Sequence, residues 1–246
     1  MFKNQKDKIS KFSAFILVGV FLLYILFFSI KDLNYQLILE EKEKLILALI
    51  STLYISVTTL IISIITGFLF YLLNNSKSVF LKTLTSSIRE IIMGTPLLVM
   101  IFLIVYVFGI RIQIYNKELL GIIALSLYMT PYMANSFESA LSIIDERQYL
   151  VIKLYNFTFF QKYRYIILPQ LIKPLLPSLI NNLSIIIKGS ALLKIISVYE
   201  IAYVITVISN KSYASIEGYL VMWIMYLIIT IPLSLLASFL SKRILK

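Results

Sequence analysis

The most constraining feature of this sequence is a series of long runs without a charged residue. A membrane-spanning helix needs about 20 predominantly apolar residues, and five runs reach that length. They are Phe12–Ile30, Leu45–Ser76, Ile91–Ile110, Leu119–Phe137 and Gly218–Ser241. The runs predict an all-α integral membrane protein. The first run is too long for the core of a signal peptide, so we expect a retained anchor helix.

The composition agrees with a membrane protein and disfavours an enzyme. The chain is 60% hydrophobic and 14% charged, with a mean hydropathy of +0.91. It has no Cys and no His, so the commonest metal ligands and the commonest general base are missing. We therefore predict no catalytic residue, no metal site and no cofactor. The net charge of +11 is explained by lysines and arginines in cytoplasmic loops, and we expect no nucleic-acid partner.

A sixth span is predicted from the charges at the two chain ends. Basic residues hold their segments on the cytoplasmic side, and both ends are basic: Lys3, Lys6, Lys8 and Lys11 at one, Lys242, Arg243 and Lys246 at the other. Two cytoplasmic ends require an even number of spans. The uncharged stretch between Lys173 and Lys188 is short, but counting it gives six spans and places residues 145–170 in the cytoplasm.

Polar and helix-breaking residues inside the spans suggest a pathway through the bundle. Pro96 lacks an N–H, so a kink is expected near Gly94 and Thr95, although an ordinary membrane-helix kink explains the motif equally well. Pro131, Asn135, Glu138 and Ser142 share one helical face, as do Asn181, Ser184 and Lys188. Lys188 either serves the pathway or snorkels to the outer interface. The candidate pathway residues are Gly94, Thr95, Pro96, Asn135, Glu138, Asn181, Ser184, Lys188 and Ser190.

The cytoplasmic stretch "DERQYLVIKLYNFTFFQKYRYIILPQ" (145–170) predicts two helices joined by a sharp turn. The first runs from Arg147 to Tyr155 and ends at Asn156, which tolerates the left-handed conformation. Thr158 and Gln161 fit a capping box that starts a second helix, and Pro169 begins the return to the membrane. An amphipathic helix lying on the bilayer is the alternative. The compact apolar knob beside the turn better suits a cleft on another protein.

Four motifs in order resemble the membrane permease subunits of type I ABC importers, in the branch that takes up polar amino acids. "ILPQ" (167–170) resembles the end of that family's EAA loop, with Leu150-Val151-Ile152 at the Glu-Ala-Ala triplet and Asn156 at the glycine. The other motifs are "GTPLLV" (94–99), "PYMANSFESAL" (131–141) and "LSIIIKGSALLKIISVYEI" (183–201). Met93 stands where the family has Arg, Asn135 for Glu, Glu138 for Arg, and Gly189-Ser190 for Asp-Thr.

The resemblance covers about residues 45–243 and implies a domain organisation. Residues 1–11 form a basic cytoplasmic N-terminus, 12–30 an added transmembrane helix, and 45–243 the permease domain with a coupling loop at 145–168. The family's role implies an ABC ATPase subunit that hydrolyses ATP, an external solute-binding protein and a second or sibling permease copy in the membrane. The residues expected to couple to the ATPase are Gln148, Tyr149, Leu150, Val151, Ile152, Asn156, Phe157 and Phe160.

Two other classes remain open from the residues alone. An ion-coupled secondary transporter or channel subunit requires a buried carboxylate at mid-membrane, and the sequence offers no convincing one. A membrane scaffold requires no polar face within its spans, contrary to Pro131–Ser142. The chain also lacks the phosphate-binding loop G-x-x-x-x-G-K-[ST], so uphill transport would need energy from a partner or an ion gradient.

Overall fold

The computed structural model describes residues 13, 16–17, 19–21, 24 and 35–244. All regular elements in these residues are helical, which confirms the all-α class. The predicted basic terminus 1–11 and most of the predicted helix 12–30 lie outside the described residues.

Nine helices follow one another from residue 36. They are α1 Gln36–Leu39, α2 Lys42–Asn74, α3 Val79–Gly94, α4 Leu97–Gly109, α5 Lys117–Leu141, α6 Glu146–Leu154, α7 Phe159–Ile196, α8 Ile201–Ser212 and α9 Ser215–Ile244. Residues Leu103–Gly109 and Lys162–Ile167 are wound as π-helix, and Ala191–Ile196 as 3-10 helix.

Within the described residues, three helices are long and apolar enough to cross a membrane: α2, α7 and α9. The bent pair of α3 and α4 would be a fourth if the two form one broken span. The weak uncharged stretch after Lys173 thus belongs to a helix of 38 residues that is long and apolar enough to span a membrane.

Helix α7 passes through Pro169, where the chain was predicted to begin its return to the membrane. The second helix does not end before this proline, and the π-helical turn Lys162–Ile167 precedes it. In a π-turn the backbone pairing shifts by one residue, as in the bond from the Leu168 N–H to the carbonyl of Tyr163, and the helix continues through a residue without an N–H.

The uncharged run Ile91–Ile110 is not one straight helix. Thr95 is extended (φ −92°, ψ 124°), as residues before a proline prefer, and α3 and α4 meet at 106°. The Thr95 N–H donates to the carbonyl of Ile92 at 3.2 Å, and its hydroxyl donates to that of Ile91 at 2.7 Å. The predicted kink is therefore present as a full break whose freed carbonyls find local donors.

Small residues let α2 approach α5 closely. Thr52, Ser56, Thr59 and Ser63 on α2 are fully buried. A Cβ added at Gly67 would overlap the Cβ of Met133 and would lie 3.2 Å from the backbone nitrogen of Ala134. Close backbone approach through small residues is a main source of packing energy between membrane helices.

We expect Gly67→Ala to destabilise the protein, because the added methyl group meets a Cβ atom and backbone that cannot rotate away. Overpacking of this kind costs about 1–3 kcal/mol, which corresponds to a fall in Tm of about 2–4 °C per kcal/mol in a chain of this size. Thermal unfolding in detergent measures it. Gly94→Ala is the matched control, since nothing lies within 4 Å of its added Cβ, and an equal Tm for both variants would contradict the packing.

Candidate functional site

Helices α6 and α7 form a hairpin with a defined turn. The Asp145 carboxylate caps α6 by accepting the Arg147 N–H at 2.8 Å. At the other end Asn156 has φ 49°, its N–H donates to the carbonyl of Lys153, and the Phe157 N–H donates to that of Ile152, both at 3.2 Å. This pair of bonds around a left-handed residue is the Schellman motif. The predicted left-handed turn at Asn156 is confirmed.

The start of α7 is fixed by the predicted capping box. The Gln161 N–H donates to the Thr158 hydroxyl at 3.3 Å, and the Thr158 N–H donates to the Gln161 side-chain oxygen at 2.9 Å. With both ends of the turn capped, the hairpin tip is held in one geometry instead of fraying.

The hairpin divides the eight predicted coupling residues between two sides. Leu150, Val151, Phe157 and Phe160 are exposed, as is Asn156 at the turn. Ile152 is only 7% exposed, so most of its side chain is covered by the fold and little of it is offered to a partner.

Gln148 and Tyr149 are half-buried and join the two arms of the hairpin. The Gln170 side-chain amide donates to the Gln148 oxygen at 2.8 Å. The Lys162 ammonium lies 5.0 Å from the centroid of the Tyr149 ring, and burial raises the pKa of the Tyr149 phenol. The arms are thus tied by side chains as well as by the turn.

A buried polar cluster joins α5 to α7. The Asn182 side-chain amide donates to the Ser136 hydroxyl at 2.9 Å and approaches the Met133 sulfur at 3.4 Å. The Ser178 hydroxyl lies 2.8 Å from that of Ser136. The sequence analysis missed this cluster. The available signal was Ser178 four residues before Asn182, which places both on one helical face.

Asn181, Ser184 and Lys188 lie on a different face of α7. Asn181 and Lys188 are exposed and Ser184 is half-buried, and no hydrogen bond or ion pair within the described residues involves the Lys188 side chain. Ile185, 43% exposed, lies beside them. The face is open in a single chain.

The remaining predicted pathway residues do not form one surface. Gly94, Thr95 and Pro96 lie at the break between α3 and α4, next to α7, because a Cβ at Gly189 would lie 3.1 Å from Leu97. Ser190 is fully buried and donates to the carbonyl of Ile187 at 2.8 Å. Gly94, Thr95 and Pro96 thus lie beside α7, and Ser190 lies within it. None of the four is on the open face with Asn181, Ser184 and Lys188.

The two predicted pathway residues of α5 are also separated. Asn135 is half-buried, whereas Glu138 is exposed at its side chain and lies 3.9 Å from the Arg89 guanidinium of α3. Glu138 therefore joins the ends of two helices.

Glu200, which lies within the motif 183–201, is a buried carboxylate. It accepts the N–H groups of Ala202 at 2.9 Å and Tyr203 at 2.6 Å, and the hydroxyl of Tyr226 at 3.0 Å. All three partners donate hydrogen bonds to the carboxylate. Glu200 therefore caps the N-terminus of α8 and links it to α9 through Tyr226. The burial of this carboxylate and its contact with Tyr226 are visible only in the folded structure, because Tyr226 is distant in the sequence.

Asn181 and Asn182 make a matched pair for testing the two faces of α7. We expect Asn182→Ala to lower the stability by about 1–2 kcal/mol, because Ser136 loses a buried donor. Asn181→Ala should leave the stability within about 0.5 kcal/mol, as at an exposed site. Thermal unfolding of both variants in detergent gives the comparison; equal losses would mean that the two faces are not distinct.

Comparison with known proteins identifies the family. The model of the family described as "Binding-protein-dependent transport system inner membrane component" matches residues 63–246. The "Probable amino-acid permease protein YxeN" of Bacillus subtilis is 30% identical over 222 residues, 87% of this chain and 97% of that protein. The "Nopaline transport system permease protein NocM" of Agrobacterium fabrum is 27% identical over 212 residues, 82% and 88% of the two chains.

Solved structures show the same architecture. A crystal structure of an amino acid ABC transporter with histidines superposes with a TM-score of 0.75 at 26% identity, covering 86% of this chain and 99% of that chain. An inward-facing methionine ABC transporter, MetNI, superposes with a TM-score of 0.68 at 14% identity, covering 83% and 98%, and supports the fold alone. This chain belongs to the family of inner-membrane components of binding-protein-dependent transport systems, and it is a permease subunit of an ABC importer.

Proposed function

We propose that this permease imports an amino acid that an external binding protein delivers, and that separate ATPase chains supply the energy. The substrate class is supported by the relatives and by the structural neighbour, which are named for amino acids and nopaline. The partners are supported by the family's description and by the ABC transporters that share the fold.

The proposed topology has six spans with both ends in the cytoplasm. Helix α2, the bent pair α3–α4, α5, α7 and α9 supply five spans, and residues 12–30 supply the sixth. The positive-inside rule supports this orientation, since it places the hairpin and both basic ends on the cytoplasmic side of the bacterial inner membrane.

The α6–α7 hairpin is the observation that carries the mechanism. Its tip is capped at the turn and exposes the apolar side chains Leu150, Val151 and Phe160. An exposed apolar knob on a rigid support marks a protein–protein contact. Because α7 continues as one helix from Phe159 at the hairpin turn to Ile196, a movement of docked ATPases would tilt α7 as a rigid body and alternate the access of the pathway.

A second permease copy, identical or a sibling, would face the open side of α7. Asn181, Ser184 and Lys188 are uncovered there in a single chain, although polar side chains in a membrane generally face protein or water. A pathway between two copies accounts for that exposure. Lys188 would attract the carboxylate of an amino acid.

Glu200 is the buried carboxylate that an ion-coupled carrier would need, but its contacts give it a structural role instead. That class needs a buried carboxylate free to exchange a proton or cation, and Glu200 is fully buried. Its oxygens, however, accept three hydrogen bonds within the fold, so it serves the structure of α8.

We expect Leu150→Asp to prevent association with the ATPase, because it places a charge in the centre of the proposed contact. The chain is co-expressed with the ABC ATPase subunits of its own organism, and the ATPase retained on the purified permease is measured. Ile112→Asp is the control, since Ile112 is an exposed apolar residue on the opposite predicted side. Undiminished retention by Leu150→Asp would contradict the role of the hairpin.

We expect Lys188→Ala to raise the KM for amino acid uptake about tenfold or more, because a charge-assisted contact to the carboxylate is lost. Uptake of labelled amino acids into proteoliposomes loaded with ATP and supplied with the binding protein measures it. Lys211→Ala, an exposed lysine at the end of α8, serves as the control. An unchanged KM in Lys188→Ala would exclude the lysine as a substrate ligand.

A further inference from the structure

An open groove lies between the end of α6 and the start of α7. Its volume is about 350 Å³, and it is lined by Tyr149, Ile152, Lys153, Asn156, Phe157 and Lys162. The lining combines three aromatic or apolar side chains with the amide of Asn156 and two cations, Lys153 and Lys162. A groove bordered by two cations is suited to an acidic group.

Lys162 is held in position by two aromatic rings. Its ammonium lies 5.0 Å from the centroid of Tyr149 and 5.2 Å from that of Tyr163, within the range of cation–π attraction. The rings restrict the long side chain before any ligand arrives, and the ammonium retains donors for an acceptor. Less conformational freedom is therefore lost when an anion binds.

Among the residues that the structure describes, no carboxylate forms an ion pair with Lys153 or Lys162. The sequence contains no Asp or Glu between Glu146 and Glu200. The ion pairs among the described residues are Lys44 with Glu41 and Arg89 with Glu138, and neither involves the groove. The uncompensated positive charge favours an anionic group from outside the chain.

The position of the groove favours a protein over a lipid headgroup. Lys173 is the last charged residue of α7 before the uncharged stretch that enters the membrane. The start of α7 at Phe159 lies about 20 Å from Lys173 at 1.5 Å per residue. A headgroup layer is only about 5–8 Å thick, so the groove lies beyond it.

We propose that this groove receives an Asp or Glu side chain of the ATPase subunit, held by Lys153 and Lys162. The inference rests on the proposed function, because the ATPase partner is assigned there. The groove contact would act together with the apolar contact at Leu150. The ATPase surface that binds the hairpin would then carry an acidic residue next to the site that receives the knob. In the resembled family the triplet begins with a glutamate, whereas here the corresponding position is Leu150 and the nearby charges are basic.

The test measures how much ATPase the purified permease retains after co-expression with the ABC ATPase subunits of its own organism. Lys153→Glu and Lys162→Glu should each lower retention about tenfold, because attraction becomes repulsion. Lys162→Arg should retain the wild-type level. Lys173→Glu is the matched control, with the same charge change on the same helix away from the groove, and should have little effect. Wild-type retention should weaken at high ionic strength.

Several results would overturn the groove contact. One is wild-type retention by both glutamate variants; another is an equal loss in Lys173→Glu, which would indicate a general charge effect. A loss that appears only in nanodiscs containing phosphatidylglycerol, and not in phosphatidylcholine discs, would assign the groove to a lipid headgroup. Unchanged elution and helical content show that each variant is folded, and Lys153, which is exposed, tests the groove without disturbing the tyrosines.

The outcomes also separate this inference from the proposed function. If Leu150→Asp loses the ATPase while both lysine variants keep it, the groove contact alone fails. If the wild-type chain retains no ATPase, the proposed coupling fails and the groove contact fails with it.

Discussion

Helix α7 is the constraint on which the other features depend. It runs without interruption for 38 residues from the hairpin turn to Ile196. An α-helix keeps its backbone bonds within the segment, which is the condition for crossing a bilayer. The same helix therefore begins beside the exposed knob and carries the buried Asn182 on one face and the uncovered Lys188 on another.

The break between α3 and α4 and the passage of α7 through Pro169 show two ways to accommodate a proline. At Pro96 the chain turns sharply, and the Thr95 N–H and hydroxyl satisfy the preceding carbonyls. At Pro169 the helix widens into a π-turn and continues. At Pro96 the freed carbonyls are thus paired, as the cost of an unpaired backbone group in a membrane demands.

Polar side chains in the helices fall into two groups, one buried and paired, the other uncovered. Asn182 with Ser136 and Glu200 with Tyr226 are buried and tie helices together. Asn181, Ser184 and Lys188 are left uncovered on α7. A buried polar group without a partner is costly, so the first set is paired inside the chain, whereas the second set is uncovered in the single chain.

The sequence by itself determined the membrane class, the position of the kink at Pro96, the left-handed Asn156 and the capping box at Thr158. These features depend on neighbouring residues, whose steric and hydrogen-bonding preferences act locally. Only the tertiary structure decided that Asn182 is buried and Asn181 exposed, that Ile152 faces inward, and that Lys153 and Lys162 border one groove. Adjacent residues of a helix differ in direction by about 100°, and their burial depends on which helix packs against each face, a property of long-range contacts that no local pattern encodes.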